Sequence, residues 1–250
     1  MQCKELVAYL DEYLALAEVP DFPNAYNGLQ VEGRPEVQTV AVAVDACQAT
    51  IDQAIQRGAD MLLVHHGLFW GQRAPVTGAY YRRLSALIKN DLSLYSSHLP
   101  LDAHPEVGNN HVLARQLGLM VGGLFAERER VALGVWADTQ APLSELVSRV
   151  EEALHVQPQV IPTGPGTVRK IGIITGGAGS HIGDAARIGC DTFLTGEGAH
   201  HTYFEAEEQG LNLIYAGHYA TETVGVKALA AHLERQFGLE TFFIHHPTGL

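Results

Sequence analysis

Thirteen of the 250 residues are histidine, and they are not spread evenly. His65-His66 follow the run Met61-Leu62-Leu63-Val64, and His98 and His104 bracket Leu99-Pro100-Leu101-Asp102 just after a stretch ending near Ser97. Glu197, His200 and His201 follow Thr192-Phe193-Leu194-Thr195, and His218 and Glu222 follow Leu213-Ile214-Tyr215-Ala216. Each cluster of imidazole and carboxylate thus comes directly after a short segment of the kind that forms a buried strand. In a parallel α/β sheet the C-terminal strand ends are where ligands bind, so four clusters on one sheet edge would converge. Imidazole with carboxylate and no thiolate suits Zn, Mn or Fe(II) rather than a Cys-rich structural zinc site. His218 and Glu222 are four apart, which puts them on one face of a first helical turn. Two or three histidines with two carboxylates suffice for two metals with positions open to water, an arrangement that polarises a substrate oxygen.

The elements that must carry these residues read as alternating strands and helices. Val37 to Val44 is a β-branched strand, Thr50 to Arg57 a helix and Asp60 to Val64 a second strand, with Gly58 at the helix end where positive φ is least costly. Short connections and continuous apolar strands make this a βαβ unit with parallel strands. A helix from Tyr80 to Asn90 leads to a strand ending near Ser97, and His111 to Leu117 is a further helix. Displaced by 131 positions, Val40–Val64 aligns without gaps on Ile171–Thr195, matching Ile51/Ile182, Ala54/Ala185, Gly58/Gly189, Asp60/Asp191 and Leu63/Leu194. Two related βαβ units follow from that shared grammar. Between them Val131 to Ala137 reads as a strand and Pro142 to Leu154 as a helix. Val156 to Ile161 is a strand that Pro158 confines to a sheet edge. The tail adds a strand (213–216), a helix (222–237) and a last strand (240–244). The fold expected is therefore α/β, with residues 1–125 plus 196–250 as a larger domain and 126–195 as a smaller inserted one.

Composition narrows the class. An apolar fraction of 46% with 18% charged residues supports a sizeable core. The balance of 28 Asp and Glu against 16 Lys and Arg, a net charge of −12, opposes phosphate backbones, so nucleic acid is not the expected partner. No apolar run is long enough to span a bilayer, and Leu6, Leu10 and Leu14 interrupted by Asp11 and Glu12 read as a helix rather than a signal peptide. Cys3, Cys47 and Cys190 form no CxxC pair, which suits a reducing cytoplasm.

Several segments taken together resemble one family. Asn27-Gly28-Leu29-Gln30-Val31-Glu32-Gly33, Val64-His65-His66-Gly67-Leu68-Phe69-Trp70, His98 through His104 with Gly108-Asn109-Asn110, Thr195-Gly196-Glu197 and Gly217 through Glu222 are similar to those of the YbgI-like proteins. These are known as GTP cyclohydrolase I type 2 homologues and as the NGG-one-interacting-factor-three-like family. The resemblance runs in order over essentially the whole chain. It implies two intertwined α/β domains, a dinuclear metal site between them and a toroidal homohexamer. It also implies His65, His66, Asp102, His218 and Glu222 as metal ligands, with Glu222 as the bridge, and His98 beside the metals as a further ligand or proton carrier.

Each residue also has a plainer reading. Asp102 could cap a turn after Pro100, and Glu222 could be a first-turn acid favoured by the helix dipole. His104 is expected to hydrogen-bond near the site and to share proton transfer with His98. Glu197, His200 and His201 are expected in a pocket lining, and His245-His246 as a surface pair. Gly176-Gly177-Ala178-Gly179-Ser180 could cradle phosphate with its N–H groups, although a plain tight turn explains it equally. Two function classes follow: a metal-dependent hydrolase of a small polar or nucleotide-like substrate, or a non-catalytic metal-binding oligomeric scaffold. A pocket beside the metal ligands favours the first.

Overall fold

The strand Thr39-Val40-Ala41-Val42-Ala43-Val44-Asp45 sets the architecture, because its apolar residues bury both faces. In the computed structural model, which describes residues 1–71, 74–128 and 131–249, Val40 and Val42 enter one core and Ala41 and Ala43 another on the opposite side. A strand apolar on both faces needs helices above and below it, and the chain supplies them. In order come α1 (Cys3–Tyr13), β1 (Gly28–Val31), β2 (Thr39–Asp45), α2 (Gln48–Gln56), β3 (Met61–His66), α3 (Gly78–Lys89), β4 (Ser93–Ser96) and α4 (Leu99–Ala103). Next are α5 (Asn109–Gln116), β5 (Gly123–Arg128), β6 (Val131–Pro142), α6 (Leu143–Leu154), β7 (Gln159–Pro162) and β8 (Thr167–Ile173). A 3₁₀ turn (Gly179–His181) precedes α7 (Ile182–Arg187), β9 (Thr192–Thr195), α8 (Thr202–Gln209), β10 (Asn212–Tyr215), α9 (His218–Phe237) and β11 (Glu240–Phe243).

The strands form two sheets, ordered β1-β4-β3-β2-β11 and β5-β6-β8-β9-β10-β7. In the first, β11, β2, β3 and β4 run parallel and β1 closes the edge antiparallel to β4. Leu6, Leu10 and Leu14 of the α1 segment and Leu229 and Leu233 of α9 cover one face, against Val40, Met61 and Leu63. Ile51 and Ala54 of α2 and Leu87 of α3 cover the other, against Leu62, Val64 and Leu94. Each fully buried leucine contributes about 1.5–3 kcal/mol relative to exposure. In the second sheet β8, β9 and β10 are parallel, and β7 is indeed an edge strand, antiparallel to β10.

The repeat displaced by 131 positions is present in the hydrogen bonding. Val40 pairs with Met61 and Ile171 with Thr192, and both neighbouring pairs keep the same offset. Gly58 and Gly189 both take positive φ, +73° and +78°. The likeness extends further than the sequence indicates, since β1-β4-β3-β2 and β7-β10-β9-β8 have the same order and the same antiparallel edge.

Two compact units result, Met1–Val107 with Gly225–His246, and Gly108–Val224 with a short stretch from Pro247. This division differs from the boundaries read in the sequence, 1–125 plus 196–250 and 126–195. The segment after Thr195 belongs with the second sheet because β10 pairs directly with β9. Asn110 ties α5 to the same unit, donating to the Leu133 carbonyl and accepting from the Thr175 N–H. The consequence for the histidines is a correction: the four strand-end clusters lie on two sheets, two after β3 and β4 and two after β9 and β10, rather than on one edge. α9 also begins at His218, not at Glu222. No helix of the described residues is long and apolar enough to cross a membrane.

Candidate metal centre

His65 and His66 are the last two residues of β3, where regular pairing ends. His98 caps α4 at the end of β4, and Asp102 sits in that helix. One nitrogen each of His65, His66 and His98 fall within 4.8 Å of one another, and Asp102 Oδ2 is 3.6 Å from His65 Nε2. His65 is completely buried. Trp70 stands edge-on to His98 with ring centroids 5.2 Å apart, and its indole N–H is held by the Gly67 carbonyl.

In the second unit His218 and Glu222 share the first turn of α9, with Nε2 and Oε1 3.1 Å apart. The glycine turn after β8 packs directly on them. Gly176 has φ +71°, and a Cβ there would collide with Glu222 Oε1. The Gly176 N–H donates to Thr221 Oγ1 at 3.0 Å, and its carbonyl accepts from the N–H groups of Gly196 and Glu197. The turn therefore locks the end of β9 to the start of α9, and its glycine makes room for a carboxylate rather than for phosphate.

How the imidazoles are held points to their use. His65 Nδ1 lies 3.0 Å from the Ser97 carbonyl, and His66 Nδ1 2.9 Å from Asp45 Oδ1. His98 Nδ1 is 2.9 Å from Asp21 Oδ1, and His218 Nδ1 is 2.8 Å from Glu197 Oε1. An oxygen acceptor at Nδ1 fixes the ring and the tautomer and presents Nε2, which is how metal-bound histidines are oriented. Asp21, Asp45 and Glu197 were not singled out as orienting groups by the sequence, since two of them lie 77 and 21 residues from the histidines they hold.

The electrostatics follow the same contacts. Burial alone would raise the Asp21 carboxyl, but hydrogen bonds from His98, Asn27 and the Phe22 N–H outweigh it and bring the group down to about 2. His218 is raised to about 9, chiefly by its hydrogen bond to Glu222, against a desolvation that lowers it, with Glu197 adding to the rise. Metal binding at His218 therefore has to displace a proton.

The other candidates separate cleanly. His104 Nε2 meets the Tyr13 carbonyl at 2.9 Å, and its Nδ1 accepts from the N–H groups of Glu106 and Val107. Both ring nitrogens serve the backbone, and burial lowers its pKa, so the imidazole is a neutral brace for the α4–α5 loop. Glu197 and His200 line a cavity of about 750 Å³ in the second unit, between β7, β10 and the start of α8. His201 is exposed beside Glu205, and His245 and His246 are exposed at the end of the chain.

Likeness to known proteins extends over the whole chain. The description Duf34/NIF3 (NGG1p interacting factor 3) matches residues 1–249. A protein named GTP cyclohydrolase 1 type 2 homolog from Deinococcus radiodurans is 41% identical over 248 residues, 98% of this chain and 94% of its own. The solved structure of the protein ybgI, described as of unknown function, superposes with a TM-score of 0.93 at 42% identity over 100% of both chains. TTHA1606 from Thermus thermophilus superposes with a TM-score of 0.91 at 45% identity, again over 100% of both. The chain belongs to the Duf34/NIF3 family.

Proposed function

We propose that His65, His66, Asp102, His218 and Glu222 hold two divalent metal ions per chain, Zn, Mn or Fe(II), in one dinuclear site. The protein is then a metal-dependent hydrolase of a small polar or nucleotide-like substrate, a reading in keeping with the cyclohydrolase-homologue name its relatives carry. The observation that carries this is the shared orientation of four imidazoles, each with Nδ1 engaged by an oxygen acceptor and Nε2 presented beside a carboxylate or another imidazole. The donor set, nitrogen and carboxylate oxygen without thiolate, fits these metals. When bound, such ions act as Lewis acids on a substrate oxygen and lower the pKa of water.

The protein's own groups supply the rest. His98 is placed to carry a proton at Nε2, because the buried Asp21 carboxylate at Nδ1 fixes the ring and presents that nitrogen. Glu222, 3% exposed, holds its carboxylate rigidly in the first turn of α9. Trp70 covers the imidazoles of His66 and His98 and limits water there. The homohexameric ring belongs to the same proposal and is tested by sedimentation equilibrium.

Metal analysis of protein purified without chelator tests the site. About two equivalents per chain are expected in the natural protein, with loss in His65→Ala and Glu222→Ala. His98→Gln should keep its metal and lose hydrolytic turnover. Metal retained by both Ala variants would overturn the ligand assignment.

A further inference from the structure

The cavity in the second unit has a composition that names the kind of molecule it takes. The antiparallel register of β7 on the sheet edge sets Gln159 opposite Tyr215. Gln157 and Gln159 reach the cavity from this edge, and Tyr203 and Phe204 enter from the first turn of α8. These two rings are 43% and 49% exposed, unusual for large apolar groups in a helix that buries only Thr202 and Ala206. Tyr215 is fixed at the wall by a hydrogen bond between its hydroxyl and Thr202 Oγ1. The volume, about 750 Å³, lies in the range of small-molecule sites. Glu197, whose carboxylate holds His218, forms part of the same wall, so the cavity adjoins the candidate ligands of this unit.

Its charge is the informative feature. Among the described residues lining the cavity there is no lysine or arginine, while Glu197 contributes a carboxylate. The nearby backbone turn that could have cradled a phosphate has Gly176 against Glu222 and Gly177 facing Glu197. Within the cavity itself a triphosphate would meet the Glu197 carboxylate and no lysine or arginine side chain, which disfavours phosphate among these lining residues. The aromatic faces favour a planar ring by stacking. The side-chain amides of Gln157 and Gln159 each offer one acceptor and two donors, complementary to the N–H and C=O edge of a cyclic amide.

We propose that this cavity is the substrate pocket and takes an uncharged planar ring with a cyclic-amide edge, a nucleobase or nucleoside, in preference to its phosphorylated form. The proposal rests on the metal-dependent hydrolase reading above, which it narrows. The test is calorimetric binding of guanosine, inosine, uridine and cytidine to the full metal-loaded protein, each beside its 5′-triphosphate. Inorganic triphosphate serves as the control for simple metal capture. At least one nucleoside is expected to bind about tenfold more tightly than its triphosphate. Tyr203→Ala and Phe204→Ala, at exposed positions that folding tolerates, should each weaken it roughly fivefold or more without changing metal content. A triphosphate that binds as tightly as its nucleoside, absence of binding by all four nucleosides, or indifference to both substitutions would overturn the proposal. Metal analysis of the same samples separates the two readings. Nucleoside binding without metal removes the hydrolase and keeps the pocket, and metal without nucleoside binding does the reverse.

Discussion

Asp60 and Asp191, 131 positions apart, perform the same task in the two units. The Asp60 carboxylate accepts the N–H groups of Gln38 and Thr39 at 2.8 and 3.0 Å, and the Asp191 carboxylate accepts the Arg169 N–H at 2.9 Å. Each backbone N–H then donates to the strand preceding its helix, Asp60 to the Thr39 carbonyl and Asp191 to the Lys170 carbonyl. Each carbonyl accepts from the next strand, from Ser93 and from Asn212. One aspartate at the helix-to-strand turn therefore ties three parallel strands at their N-terminal ends. That leaves the opposite ends to carry His65-His66 in one unit and Gly196-Glu197 in the other, positions that correspond under the same displacement.

Loss of this tie should be unequal in the two copies. Asp60 also receives Arg34 at 2.9 Å and its side chain is only 11% exposed. Asp60→Ala is expected to cost about 3 kcal/mol of stability and Asp191→Ala about half that, at the usual 1.5–3 kcal/mol for hydrogen bonds to charged groups. Urea unfolding of the metal-free variants measures both. Equal losses would show that the Arg34 contact and the second N–H add nothing.

Gly176 offers a test of the turn that carries Glu222. A side chain there meets both the positive φ of +71° and the Glu222 carboxylate. Gly176→Ala should lower stability by about 2 kcal/mol and displace Glu222, weakening metal retention. Gly166, where a Cβ would meet nothing within 4 Å and φ is not positive, is the control; Gly166→Ala should stay within about 0.5 kcal/mol. Equal metal content in both variants would mean that the turn does not position Glu222.

What could be read from the residues, and what could not, divides along physical lines. The β2-α2-β3 unit and its copy are legible because continuous apolar strands, a positive-φ glycine and an aspartate at the helix-to-strand turn all act within a few residues. The helix α8 is not, since Thr202 and Ala206 are its only buried residues and leave no apolar stripe. Strand-end histidines are visible as a pattern, but their distribution over two sheets is not. The two copies look alike in sequence, and nothing local says which strands are hydrogen-bonded neighbours. Asp21 was invisible for the same reason, as only the fold brings it to His98. His104 shows the converse, a histidine in a suggestive segment whose two nitrogens are spent on the backbone.

The metal-free protein should lose stability as the solution becomes alkaline. His218 has its ordinary value of 6.5 raised to about 9 by Glu222 and Glu197. A group raised on folding stabilises fully below its unfolded value, and the stabilisation fades as pH climbs through the folded value. Thermal melts of chelated protein should therefore show Tm falling between about pH 6.5 and 9, and Glu222→Gln should flatten that fall. Asp21 gives the opposite slope at the acid end: lowered from 3.8 to about 2, it stabilises above 3.8, and that contribution disappears as pH falls towards 2. A melt independent of pH between 6.5 and 9 in the natural chain would contradict the charge assigned to His218.

Asp45 and Asp21 both hold the Nδ1 of a histidine, and their surroundings predict different penalties for removal. The Asp45 side chain is 37% exposed and orients His66 through one short contact. Asp45→Asn should change stability by less than about 1 kcal/mol. It should weaken metal retention roughly 10- to 100-fold, as removal of a group that orients a ligand does elsewhere. The Asp21 side chain is 6% exposed and accepts from the N–H groups of Phe22 and Leu99 and from Asn27, besides meeting His98. Asp21→Asn leaves an amide whose N–H₂ faces donors, so it should cost about 3 kcal/mol of stability in metal-free protein as well. Competition with a fluorescent chelator, paired with urea unfolding, separates the two effects. If Asp45→Asn holds metal as the natural chain does, His66 is not oriented for a metal, and its strand-end position reflects packing alone.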